Sequence, residues 1–158
     1  MAKMKILDIE QGYQSKVICI GFDGCCVKDA YPRIGDEIGA VPVLRKLTET
    51  GHRLILSTVR CGIRRVNPKA KHDKQHNRTV LKEALLWFDA NNIPLWAVNT
   101  NPEQRGWSSS NKIHADLYID NKTIGAPLIS PFDEKPFLDW NAIDTWLERG
   151  CYYWNGVR

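Results

Sequence analysis

The chain has 158 residues, 43% hydrophobic and 25% charged, a composition typical of a globular domain with a substantial buried core. It contains no run of 18 or more apolar residues, and its first residues lack the apolar segment of a secretion signal. We therefore expect one cytoplasmic domain, residues 1–158, with no membrane partner. The five cysteines are an odd number without metal-type spacing, which favours reduced thiols.

The net charge of +4 is unevenly distributed along the chain. Residues 60–82 hold eight Lys or Arg side chains and one acid, Asp73, so this segment carries +7 and the rest of the chain −3. Such a segment produces a positive local field that attracts phosphates, but a solvated loop leading into a helix explains it equally well. Nucleic acid is the least favoured partner, because the total charge is modest and no recognised nucleic-acid-binding module is present.

The first half of the chain predicts a strand, a helix and a second strand. Residues 1–15 fall outside this pattern and are interpreted as an arm or an extra edge strand. The apolar run Val17–Ile20 ends at a glycine, as a strand buried on both faces does. A helix follows, with Pro42 at its first position and Gly51 just beyond its end. Residues 52–58 predict the second strand.

The second half continues the alternation of helices and strands. We expect a basic loop at 60–78, a helix at 79–92, strands at 95–98 and 115–119, a helix capped by Asp139, and an aromatic tail at 151–158. This order predicts right-handed crossovers and a three-layer, Rossmann-like α/β fold, with helices on both faces of a mostly parallel sheet. Ligands of such sheets bind beyond the carboxyl ends of the strands.

Four features in these positions resemble motifs of the haloacid dehalogenase (HAD) superfamily of phosphotransferases. That family has D-x-D-G-T after the first strand, Ser or Thr at the end of the second, a lysine farther on, and an acidic pair after the fourth strand. The counterparts here are Gly21-Phe22-Asp23-Gly24-Cys25, Thr58, Lys112 and Asp120-Asn121. The gaps between these motifs leave no room for the family's cap domains, so the resemblance implies a small capless member with an open site.

The resemblance also implies that the catalytic machinery is incomplete. Gly21 stands where active relatives carry the aspartate that attacks phosphorus and binds Mg²⁺, and a glycine can do neither. Asp23 corresponds to the former general acid/base, and Cys25 replaces a threonine with a poorer hydrogen-bond donor. Thr58 and Lys112, which match residues that hold phosphate oxygens, are chemically intact.

Metal binding is expected to be weakened, and no cofactor is required. Of the family's four carboxylates only Asp23 and Asp120 remain, since Asn121 has replaced the second acid of the pair. A pocket with fewer negative charges is able to hold an anion with little or no Mg²⁺. Backbone N–H groups of residues 22–26 would add donors. The ligand-binding group expected from the sequence comprises Phe22, Asp23, Gly24, Cys25, Thr58, Arg60 and Lys112.

The leading hypothesis is a catalytically silent protein of HAD-like fold that binds a phosphorylated small molecule, such as a nucleotide or a nucleotide-derived signal. One alternative is a Mg²⁺-dependent phosphatase that uses a non-standard nucleophile, namely Cys25, Cys26 or a directly activated water. Another alternative is a protein-interaction module with a vestigial pocket, in which the aromatic tail forms the interface.

Overall fold

The structure, a computed structural model, describes residues 15–60 and 73–149, of which 73–79 are described by their backbone alone. The predicted arm, most of the basic loop and the aromatic tail lie outside the described residues. The first segment contains strand β1 (Val17–Ile20), helix α1 (Ala40–Glu49) and strand β2 (Arg53–Leu56). The second contains helix α2 (Asp73–Ala90), strands β3 (Ala97–Val98) and β4 (Leu117–Ile119), hairpin strands β5 (Leu128–Ile129) and β6 (Phe137–Leu138), and helix α3 (Trp140–Arg149).

The described residues form a parallel sheet of four strands in the order β3-β2-β1-β4. Strand β1 pairs with β2 on one side and β4 on the other, and β2 pairs with β3, all in parallel. Strands β5 and β6 form a separate antiparallel pair. The predicted α/β architecture with a mostly parallel sheet is confirmed, and it is consistent with a Rossmann-like fold.

The sheet buries apolar side chains on both faces. On one face, Ile18, Ile20, Leu54 and Leu56 pack in a cluster with side chains from α1, α2 and α3. On the other face, the smaller cluster consists of strand side chains and residues from the connections around β3 and β4; its members are Val17, Cys19, Ile55, Trp96, Ala97, Ile113 and Ala115. No described helix contributes to this second cluster, so a helical layer on that face stays a prediction.

Some predicted element boundaries differ from those of the structure. Pro42 is the third residue of α1, which begins at Ala40, and proline is tolerated there because N–H groups of the first turn have no helical partner. Helix α2 begins six residues earlier than predicted, at Asp73. Gly51 has a φ of 87° and Asn92 a φ of 54°, which confirms both as left-handed residues after helices.

Asp139 caps helix α3 as the sequence predicts. Its Oδ1 accepts hydrogen bonds from the backbone N–H groups of Asn141 (3.0 Å) and Ala142 (3.2 Å), two groups without a partner inside the helix.

We therefore expect Asp139→Ala to lower the free energy of unfolding by about 1 kcal/mol, the usual value of a helix N-cap. Asp139→Asn keeps the accepting oxygen and should stay close to wild type. Urea unfolding followed by circular dichroism measures both variants, and equal losses in the two would show that the cap contributes nothing.

Candidate functional site

The carboxyl ends of β1, β2 and β4 meet at one cavity of about 540 Å³. Ile20 is in register with Leu56 of β2 and Ile119 of β4, so the loops that follow these three strands begin at the same edge of the sheet. Gly21, Thr58 and Asp120, which sequence analysis placed in one site, all line this cavity. We call it the strand-end pocket.

The loop after β1 folds back on itself and uses most of its own N–H groups. The carbonyl of Phe22 accepts hydrogen bonds from the N–H groups of Cys25 (3.1 Å), Cys26 (2.8 Å) and Val27 (3.3 Å), and Gly24 donates to Val27 (2.7 Å). Of the backbone N–H groups of residues 22–26, which were expected to add donors, those of Gly24, Cys25 and Cys26 are thus bonded within the loop. Among these five residues, the N–H groups of Phe22 and Asp23 make no hydrogen bond with the described part of the chain.

The side chain of Phe22 belongs to the core. It is 2% exposed and packs against the rings of Trp87 and Phe88 of α2, with ring centroids 5.6 and 5.8 Å away. Phe22 can therefore contact a ligand through its backbone only.

Arg60 is a structural cation. It is completely buried, and its guanidinium donates to both carboxylate oxygens of Asp23, from Nε to Oδ2 and from Nη2 to Oδ1, each at 2.7 Å. The remaining N–H groups donate to the carbonyls of Pro32 (3.0 Å), Arg33 (2.7 Å) and Val80 (3.4 Å). With its donors taken, Arg60 does not line the pocket, which corrects the expectation that it binds the ligand.

The carboxylate of Asp23 is poorly placed to bind a metal ion, because it is already paired with Arg60. It lines the pocket, but both of its oxygens face a fixed positive charge, which opposes the approach of a cation. The carboxylate of Asp120 accepts a hydrogen bond from the backbone N–H of Lys122 (2.7 Å). Among residues 15–60 and 73–149, no three His, Cys, Asp or Glu side chains are grouped to hold a metal ion.

Gly21, Cys25 and Asn121 pack as one unit. A Cβ added to Gly21 would lie 2.6 Å from Cys25 Sγ and 3.2 Å from Asp120 Oδ2, so the thiol occupies the space beside the missing side chain. The thiol donates to Asn121 Oδ1 (3.4 Å) and accepts from the Asn121 N–H (3.3 Å). Gly24, with a φ of 74°, lets the amide of Asn121 approach so closely that a Cβ there would overlap it.

The two adjacent thiols are protonated donors. Burial, together with the negative charges of Asp120 and Asp23, raises the pKa of Cys25 to about 12, although its hydrogen bond from Asn121 opposes the shift. Burial also raises the pKa of Cys26 well above its ordinary value, and its Sγ donates to the carbonyl of Gly21 (3.2 Å). The Cys25 thiol therefore contacts neighbouring protein atoms rather than offering a group to a ligand.

Within the part of the chain that the structure describes, the hydroxyl proton of Thr58 has no acceptor. Its Oγ1 accepts the backbone N–H of Arg60 (3.1 Å), so its own proton can be donated into the pocket. Asn99 fixes the backbone here by accepting from the Thr58 N–H (2.8 Å) and donating to the Thr58 carbonyl (3.0 Å).

The structure does not bring Lys112 to this pocket. Lys112 precedes β4, whereas the pocket lies beyond the carboxyl end of that strand, and its ammonium lies 5.8 Å from the Tyr118 ring centroid. Lys122 and Lys135 line the pocket instead. Lys122 lies three residues after the end of β4, so its place in the sequence could have predicted that it lines the pocket. Lys135 comes from the β5–β6 hairpin, which the sequence did not predict. Other lining residues that sequence analysis missed are Asp29, Tyr31 and Ser57.

Comparison with known proteins found a similar solved structure, that of a conserved protein coded by a locus from Bacteroides thetaiotaomicron. The two chains are 32% identical with a TM-score of 0.61, and the match covers 87% of this chain and 93% of the other. No family model and no curated protein matches this chain. Within the described residues, no helix is both long and apolar enough to cross a membrane.

The packing of Cys25 against Gly21 predicts energetic coupling between the two positions. We expect Gly21→Ala to lower the free energy of unfolding by about 1–3 kcal/mol, because the added methyl meets Sγ. In a Cys25→Ala background the same change should cost about 1 kcal/mol less, since the obstructing atom is gone. Urea unfolding of the two single variants and the double variant measures this difference.

Gly106→Ala is the matched control, because a Cβ there meets no atom within 4 Å. Its effect should be the same with and without Cys25. If Gly21→Ala is also purely additive with Cys25→Ala, the two residues are not packed as described.

The raised pKa values predict that both thiols resist alkylation in the native protein. At pH 8, iodoacetamide should leave Cys25 and Cys26 unmodified in the folded chain and modify both in concentrated guanidinium, as peptide mass spectrometry can measure. Rapid modification of Cys25 while the protein stays folded would contradict this assignment.

Because the folded pKa of Cys25, about 12, exceeds its ordinary 9.0, the contribution of this thiol to the free energy of unfolding is complete below pH 9 and is lost as the pH rises through 12.

Proposed function

This chain belongs to the same family as the conserved Bacteroides thetaiotaomicron protein, and from its site we propose that it is a HAD-type fold that binds a phosphorylated small molecule without cleaving it. The observation that carries the proposal is the contrast within the strand-end pocket. Position 21 offers no oxygen to attack phosphorus, while groups suited to contact phosphate remain around it.

Those groups come from three loops. The N–H groups of Phe22 and Asp23 supply backbone donors, and Thr58 supplies a hydroxyl whose proton is uncommitted. Lys122 lines the pocket and makes no ion pair with any described residue. Hydrogen bonds from N–H, O–H and ammonium donors are the usual means of holding phosphate oxygens.

The carboxylates of the pocket repel an anion less than their number suggests. Asp23 is paired with Arg60 and Asp29 with Lys135, whose ammonium lies 3.0 Å from Asp29 Oδ2. Asp120 alone among the lining acids has no described ion-pair partner. A phosphate can therefore approach without a magnesium ion to screen the acids, and we propose that binding does not depend on Mg²⁺.

We base the proposed ligand class on the size of the strand-end pocket and on its candidate phosphate donors. The strand-end pocket is large enough for a phosphate and the sugar or base attached to it, at about 540 Å³. We propose a nucleotide or a nucleotide-derived signal as the ligand.

The burial and hydrogen bonding of Cys25 disfavour the thiol route of the phosphatase alternative. A nucleophilic cysteine must reach the thiolate form, yet Cys25 is 1% exposed, has a pKa raised to about 12, and donates its proton to Asn121. Direct attack by an activated water is the form of this alternative that the assay below addresses.

The proposal is tested by titrating ¹⁵N-labelled protein with adenosine 5′-monophosphate and 3′,5′-cyclic adenosine monophosphate, with and without Mg²⁺. We expect saturable changes in the amide resonances of Phe22, Asp23 and Thr58, at similar affinity in EDTA. Lys122→Met should weaken this binding about tenfold, the value of one charge-assisted hydrogen bond. Lys112→Met also removes one positive charge, but from a residue outside the strand-end pocket. It should leave the affinity measured from these three resonances unchanged.

Two results would count against the proposal. One is the absence of any change at these three resonances up to millimolar ligand. The other is release of inorganic phosphate from an aryl phosphate by the wild-type protein, dependent on Mg²⁺ and insensitive to Cys25→Ser, which would favour the water route.

A further inference from the structure

A second cavity, of about 440 Å³, lies within the connection between β3 and β4. It adjoins the strand-end pocket at Asn99, which lines the second cavity and is hydrogen-bonded to Thr58 of the first. Apart from Ile113, its lining residues are polar or charged, and they include Arg105, Ser108, Ser109, Ser110, Asn111 and Lys112. We call it the connection cavity.

Two buried amide side chains hold this connection in a fixed shape. Gln104, 6% exposed, donates to the carbonyls of Ser110 (3.1 Å) and Lys112 (2.8 Å) and accepts from the His114 N–H (2.8 Å). Asn101, 5% exposed, donates to the His114 carbonyl (2.8 Å) and accepts from a backbone N–H two residues on. The cavity walls are therefore preorganised before any ligand arrives.

The hydroxyl groups of the cavity are left as donors. Ser108 Oγ accepts the backbone N–H of Ser110 (3.1 Å), and Ser110 Oγ accepts the N–H of Lys112 (3.2 Å). Because each oxygen already accepts, its own proton is available to a ligand.

The charges of the cavity have a single sign. Arg105 and Lys112 line it, neither forms an ion pair with a described carboxylate, and no acid lies among the lining residues. The carboxylate nearest in sequence, Glu103, is held by Arg53 at 2.6 Å. The lining thus provides two cations and three serine hydroxyls as hydrogen-bond donors, and it contains no carboxylate that could pair with them.

We propose that the connection cavity is a second ligand site, which binds a tetrahedral oxyanion carried by a phosphorylated or sulfated small molecule. The guanidinium of Arg105 offers paired donors that match two oxygens of such a group, and Lys112 adds a point charge. The serine hydroxyls donate to the remaining oxygens.

This site is independent of the function proposed for the strand-end pocket, because the two share no charged residue. The test is a titration of ¹⁵N-labelled full-length protein with inorganic phosphate and, in a parallel experiment, with sulfate. We expect saturable shifts in the amide resonances of residues 105 and 108–112. The anion that binds more tightly shows whether the natural ligand is phosphorylated or sulfated. The resonances of Phe22, Asp23 and Thr58 report separately on the first pocket.

The double variant Arg105→Met, Lys112→Met should bind the tighter anion at least about tenfold more weakly at residues 108–112, since two charged donors are lost. Lys122→Met is the matched control and should leave this affinity unchanged. If the double variant loses the dispersion of a folded spectrum, each single variant is expected to weaken binding about threefold or more. No shift at residues 105 and 108–112, or an affinity unaltered in the charge variants, would overturn the proposal.

Discussion

The ion pair between Arg60 and Asp23 is the constraint on which the rest of the site depends. A fully buried guanidinium is costly unless it is paired and its donors are satisfied, and here the carboxylate and three carbonyls satisfy them. These contacts connect the loop after β1, the end of β2, the loop at Pro32 and Arg33, and helix α2. The same pairing neutralises Asp23, so the cation that this carboxylate faces is supplied by the protein itself.

The residues that differ from the HAD motif that this chain resembles are in contact with one another. Cys25 Sγ fills the space beside Gly21, Asn121 exchanges hydrogen bonds with that sulfur, and Gly24 allows Asn121 to approach. An aspartate at position 21 would place its Cβ 2.6 Å from the thiol, so Gly21→Asp needs the Cys25 side chain to move or to be replaced. A protein side chain thus fills the space beside position 21, while the adjacent strand-end pocket remains a cavity of about 540 Å³.

Local patterns in the sequence predicted the parts of the fold that local physics determines. The continuous apolar run of β1, the left-handed Gly51 and the cap at Asp139 each depend on neighbouring residues only, and all three are confirmed. The pairing of Arg60 with Asp23 spans 37 residues and has no local signal. The β5–β6 hairpin has strands of two residues each, too short for periodicity to reveal, and it carries Lys135 to the site.

Lys112 shows how strand direction decides the charge at each cavity. The order of motifs does not state near which end of a strand a lysine lies, whereas in a parallel sheet the residues just after each strand lie at the carboxyl edge and those just before the next strand lie toward the opposite edge. Lys122 follows β4 and reaches the strand-end pocket, while Lys112 precedes β4 and lines the connection cavity. The cations that line the two cavities therefore come from different connections, and Asn99, which lines the second cavity, is hydrogen-bonded to Thr58 of the first. In the strand-end pocket, two lysines stand among three carboxylates, of which Asp23 and Asp29 are paired. In the connection cavity, an anion would meet two cations and no lining carboxylate.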